Sequence, residues 1–226
     1  MKKFLFLLPL LAIISCTDSE NPNGAEFNNK GCLECDNYTA GESFIVGGVS
    51  YEVADTTILK TAIADGDDLT RYCTSKIGNM SYLFGGNTDF NQDISSWDVS
   101  NVTDMNSMFI SANTFNQDIG NWDVSNVTDM MGMLSMDSFN QDISQWEVSN
   151  VTNMAGMFFE ALAFNQDIGN WQVGNVTLMQ NMFYGAIAFN QDLTQWCVSN
   201  PNLAYYEFSL GSGLSALNHP VWGTCP

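Results

Sequence analysis

The chain has 226 residues, of which 45% are hydrophobic and 12% aromatic. That is enough apolar material for a folded core, and it excludes wholesale disorder. Its formal net charge is −19, and no Lys or Arg occurs from Met80 to Pro226, which argues against binding nucleic acid or anionic membrane faces.

Residues 1–16 read as a basic start (Lys2, Lys3), an apolar run from Phe4 to Ile14, and Ser15-Cys16. The run is too short to span a bilayer and has the build of an export leader. Ile13-Ile14-Ser15-Cys16 resembles a bacterial lipobox, which implies cleavage before Cys16 and lipidation of its sulfur. A lipid-anchored envelope protein is therefore expected, at the outer membrane and surface-exposed, with its membrane partner reached through that anchor. Residues 17–42, polar and acidic with Pro22 and Gly24, read as a flexible tether. Within them Cys32-Leu33-Glu34-Cys35 lacks a second Cys pair, and the sole histidine is His219, so a disulfide is preferred to a zinc site.

Residues 43–71 are expected to form an N-terminal cap. Apolar alternation on both sides of Gly47-Gly48 signals a hairpin. Asp55-Thr56-Thr57 then opens a short helix ending near Gly66.

Residues 72–200 are a repeat. Its leading Phe falls at Phe90, Phe115, Phe139, Phe164 and Phe189, in steps of 25, 24, 25 and 25. Trp97, Trp122, Trp146, Trp171 and Trp196 keep the same beat, and Tyr72 to Gly86 reads as a degenerate first copy. A fixed period of this size signals stacked units that bury their apolar faces against one another. Ile94-x-x-Trp97-x-Val99 suggests a short strand over Ser95 to Val99. Val102, Met105, Met108 and Phe109 sit on one face of a helical turn, with Asn101 as its N-cap and Asp104 completing a capping box. The Trp and Met columns read as core rather than sugar platform or copper ligands. The Asp column (Asp93, Asp118, Asp142, Asp167, Asp192) reads as turn capping in preference to calcium binding. The triplets at Asn101, Asn126, Asn150 and Asn175 read as structural caps rather than glycan acceptors. Residues 201–226 leave the pattern after Pro201 and are expected to form a C-terminal cap.

The repeated Phe-Asn-Gln-Asp-Ile, Trp-Asp-Val-Ser-Asn-Val-Thr-Asp-Met and Met-Phe resemble those of BspA-type leucine-rich-repeat surface proteins. More narrowly, they are similar to a repeat family of unknown function first found in mycoplasma lipoproteins. The resemblance implies an α/β fold, a right-handed leucine-rich-repeat-like solenoid of short parallel strands and short helices with caps at both ends. It also implies a surface protein without catalysis.

On that architecture the outward strand positions are the candidate ligand-binding residues: Ser96, Asn121, Gln145 and Asn170 beside Asp98, Asp123, Glu147 and Gln172, with Gln195 and Cys197 continuing the column. Cys73 and Cys197 share this column five units apart, roughly 24 Å at strand spacing, too far for a bond. Cys197 is therefore expected to pair with Cys225, which leaves one of Cys32, Cys35 and Cys73 over. No nucleophile motif accompanies His219, and neither a cofactor nor a metal is expected. The function anticipated is non-enzymatic adhesion by a monomer to an extracellular protein or glycan. A structural envelope role without a ligand is the alternative, and a glycan hydrolase using paired acids such as Asp98 and Asp123 the remote one.

Overall fold

The computed structural model describes residues 21–200 and 202–226. The leader, Cys16 and Pro201 lie outside the described residues.

Regular structure is confined to the N-terminal third. A two-stranded sheet pairs β1 (Glu26–Phe27) antiparallel to β2 (Leu33–Glu34). A second sheet holds β3 (Ser43–Val46), β4 (Val49–Val53) and β5 (Tyr72–Cys73) in the order β3-β4-β5. β3 and β4 form the hairpin expected around Gly47-Gly48, with Val46 opposite Val49. Helix α1 (Thr56–Asp65) starts where the Asp55 carboxylate accepts the N–H groups of Thr57 and Ile58, both at 2.8 Å. It stops at Gly66, whose left-handed φ of 76° ends the helix, and it buries Leu59 and Ala62.

The expected α/β solenoid of short strands and short helices is a misreading of the repeat. Among the described residues, neither a strand nor a helix occurs beyond β5; the chain is a β-rich domain of small sheets with one helix and two disulfides. The repeats are built from consecutive tight turns. Single parallel bridges connect them along Asn79, Asp104, Asp129, Asn153, Leu178 and Ala204.

The physical reason lies in the Met-x-x-Met segment. Met80, Tyr82, Phe84 and Gly86 each donate their N–H to the next unit, to the carbonyls of Asp104, Asn106, Met108 and Ile110 at 2.8–2.9 Å. The intervening N–H groups of Leu83, Gly85 and Asn87 turn back to Met80, Tyr82 and Phe84 of their own unit. Every second amide thus faces a neighbour, which an α-helix, satisfying all its amides internally, cannot do. The geometry requires a left-handed residue at one fixed position of every unit, and Tyr82, Ser107, Gly132, Gly156, Asn181 and Glu207 supply it with φ between 51° and 62°; a second follows four residues later at Gly86, Ser111, Glu160, Gly185 and Gly211. A left-handed residue inside the segment excludes the predicted helix.

The core runs the length of the stack. Each full unit buries its Ile or Leu, Trp, two Val and two Met, with Phe or Leu at the 109-type position. Phe90, Phe115, Phe139, Phe164 and Phe189 stack nearly parallel, with centroids 5.5–6.2 Å apart. Each indole N–H finds a carbonyl one unit back, Trp146 to Ile119 O at 3.0 Å for example, so the buried polar atom is satisfied.

Two domain boundaries also shift. From Ala25 on, the supposed tether is packed: Leu33 and Cys35 are buried, and of the three cysteines whose pairing the sequence left open, Cys35 is bonded to Cys73 and Cys32 stays a buried free thiol. At the other end, Met179 N and Phe183 N donate to Ala204 O and Phe208 O, so the segment after Pro201 opens as a further unit before it caps. Sequence reasoning missed it because Tyr205 and Phe208 replace the two Met signposts.

Candidate functional site

The most prominent motif residues are committed to joining units. Asn91 Oδ1 accepts Asn116 N and Gln117 Nε2, both at 3.0 Å, and the Asn-Gln pairs of the following units repeat the arrangement. The last step hands Asn190 to Ser215 N and Asn218 Nδ2. The Asn residues expected as helix caps do different work: Asn101, Asn126, Asn150 and Asn175 donate to Ser75, Ser100, Ser125 and Ser149 carbonyls at 2.7–2.8 Å. Burying an unpaired carbonyl costs more than a hydrogen bond returns, which suits an amide side chain to each seam.

The Asp column caps its own turns. Asp93, Asp118, Asp142, Asp167 and Asp192 each accept an N–H two residues on, at 2.9–3.0 Å. The Ser144 N–H and hydroxyl hold the Asp142 carboxyl below the usual range, and the Thr194 hydroxyl and N–H do so for Asp192. In the other acid-bearing column, Asn79 and Asn153 donate side-chain N–H to Asp104 and Asp129, so a neutral donor stands on the outer side of each of the two adjacent acids.

The eight candidate binding residues divide into two groups. The first four lie under the N-terminal segment. Leu33 N donates to Ser96 O at 2.8 Å, Asn121 Nδ2 donates to Lys30 O at 3.0 Å, and Lys30 Nζ approaches Asp123 at 4.0 Å. Asp98 is 4% exposed, and its carboxylate is turned onto the Ser100 N–H. The Ser125 hydroxyl and N–H, with Lys30 contributing, hold the Asp123 carboxyl low. Beneath the same segment, burial chiefly, and then the Asp98 charge, pushes the Cys32 thiol up to about 11. Of the acid pair, Asp98 is buried, whereas the Asp123 side chain is 42% exposed beside Lys30.

The other four, Gln145, Glu147, Asn170 and Gln172, are exposed, and Gln195 extends them. At their foot Asp167, Gly169, Asn170, Asp192 and Gln195 line a shallow cavity. Cys197 ends the column in a disulfide with Cys225, Cα atoms 4.1 Å apart. Sequence reasoning missed the covering segment. Its signal was Cys73, a cysteine in an outward column whose partner had to come from outside the repeat.

Among the described residues, no group of three or more His, Cys, Asp or Glu gathers where it could hold a metal ion. No described helix is long and apolar enough to cross a membrane. No curated protein and no solved structure matches the chain. The repeat, by contrast, matches one family over residues 56–136 and again over residues 125–216. With most of its length so covered, the chain belongs to the family described as "Mycoplasma protein of unknown function, DUF285".

Proposed function

We propose that this chain is a non-enzymatic binding protein of the bacterial envelope, anchored by a lipid on Cys16 and displayed at the surface. Its reading face is the exposed column Gln145, Glu147, Asn170, Gln172 and Gln195. The observation that supports this is the contrast along one column. The prominent residues of each unit are spent on core and seams, while these side chains are exposed in register, tied only by single bonds such as Asn170 Nδ2 to Ser144 O and Ser149 N–H to Glu147. Amides with an interspersed carboxylate suit a neutral or cationic partner, a protein or a glycan, and suit nucleic acid poorly. The sequence resemblance to BspA-type surface proteins points the same way, towards adhesion to a host, neighbour or matrix surface. Proteolysis of intact cells tests display: the chain is shaved from the surface if the reading holds and is protected if it is periplasmic. Protein and glycan arrays probed with the purified chain test binding. A ligand found there should lose at least tenfold in affinity when Gln145, Asn170 and Gln172 are changed together to Ala. Undiminished binding by that variant, or no ligand with no adhesion defect on deletion, overturns the reading.

A further inference from the structure

The two ends of the stack are complementary to each other. At the C-terminal end the last internal seam runs from the N–H groups of Met179, Asn181, Phe183 and Gly185 to the carbonyls of Ala204, Tyr206, Phe208 and Leu210. The final unit repeats the interior turns: Phe208, Leu210 and Ser212 donate back to Tyr205, Glu207 and Ser209, and Glu207 and Gly211 are left-handed. The N–H groups of Tyr205, Glu207, Ser209 and Gly211 therefore hold the donor spacing of every earlier seam, yet among the described residues they meet no acceptor. At the N-terminal end, the carbonyls of Asn79, Ser81, Leu83 and Gly85 occupy the acceptor positions of a seam and among the described residues receive no donor. Large side chains flank both rows. Tyr205, Tyr206 and Leu210 are 43%, 64% and 56% exposed at one end, and Tyr82 is 62% exposed at the other. The four basic residues, Lys30, Lys60, Arg71 and Lys76, all precede Met80, but nine acids accompany them in residues 21–79, so both ends are net negative and the complementary rows, not charge, carry the pairing.

We infer that a second copy of this chain docks its N-terminal unit on the C-terminal unit of the first, extending the seam head to tail. Row-on-row pairing is how exposed strand edges recruit partners, and a pattern already formed at both ends needs little reordering. The interface is heterologous, so association propagates rather than closing as a symmetric pair.

The test is light scattering on the purified full chain over a concentration series, with two end-blocked variants. Tyr206→Lys combined with Leu210→Lys blocks one end, and Tyr82→Lys the other. All three positions are exposed, and thermal melts confirm that the variants fold; Glu replaces Lys at any position where it does not. The parent chain should form concentration-dependent oligomers, which salt strengthens by screening the like net charge of the two ends. Each variant alone should stay monomeric, and an equimolar mixture should form one-to-one dimers and nothing larger. A parent that is monomeric throughout, a variant that still self-associates, or a mixture that fails to dimerise each overturns head-to-tail docking.

Discussion

The left-handed column makes a prediction with opposite signs at equivalent positions. Gly132 and Glu207 occupy the same place in different units, with φ of 62° and 51°. For an L residue with a Cβ this conformation costs about 1–2 kcal/mol, and glycine is exempt. Gly132→Ala should therefore destabilise by about 1–2 kcal/mol, with a further contribution because the new Cβ would sit 3.2 Å from Ser107 Oγ. Glu207 is exposed and makes no side-chain hydrogen bond among the described residues, so Glu207→Gly loses little. It should stabilise by about 0.5–1 kcal/mol, the relief of strain less the added freedom of the unfolded chain. Urea denaturation followed by tryptophan fluorescence is the assay, since five of the six Trp residues lie buried in the units. The midpoints should move in opposite directions at unchanged slope, and the double variant should be additive. Two shifts of the same sign, or a neutral Gly132→Ala, would refute the account of the repeat as consecutive turns through a left-handed residue.

Cys35→Ser should cost about 4 kcal/mol by loop-closure entropy, since the disulfide closes 38 residues. It should also free the covering segment, so that Cys32, buried and expected to resist iodoacetamide in the parent, becomes alkylated under native conditions. An equally protected Cys32 would show that the segment stays down without its bond. Trp146→Phe removes the indole bond to Ile119 O, which keeps the Trp122 N–H at 3.2 Å, and should cost about 0.5–1.5 kcal/mol for that bond plus the gap left by the smaller ring; a change of a few tenths by chemical denaturation would mean that the bond contributes nothing net. The pH response has a defined sign. Asp123, Asp142 and Asp192 bind protons less readily when folded than unfolded. Their contribution is therefore complete above the unfolded value of about 3.9 and is lost as pH falls through it towards the lower folded values. The urea midpoint should drop between about pH 5 and about pH 2, less steeply in Asp142→Asn, whereas a flat profile would contradict the turn-capping role.

How much of this was legible follows from what the pattern encodes. Trp, Met and Phe recurrence identified the core, because burial dictates residue type whatever the backbone does. The hairpin at Gly47-Gly48 and the helix between Asp55 and Gly66 were legible because their bonds close locally. The backbone of the repeat was not. Val102, Met105, Met108 and Phe109 return to one side in a helix and equally in consecutive turns, and the bonds that decide between them reach into the next unit. Gly132 and Gly156, at equivalent positions in adjacent units, were the available clue. The candidate column was half legible: its outward direction followed from the alternation with Trp97 and Val99, but the segment over Ser96, Asp98, Asn121 and Asp123 is held by a disulfide whose partner spacing cannot reveal.

The seams between units use the same donors and acceptors at every step, and this bears on how such genes change. Removing the 25 residues from Val151 to Asn175 would join Asn150 to Val176 and restore Asn-Val-Thr, with the preceding seam meeting a unit of the same chemistry. Unequal recombination between copies can thus lengthen or shorten the molecule in whole steps without creating a foreign junction. The length of the stack is therefore open to selection by copy number alone, while each end keeps its own fittings.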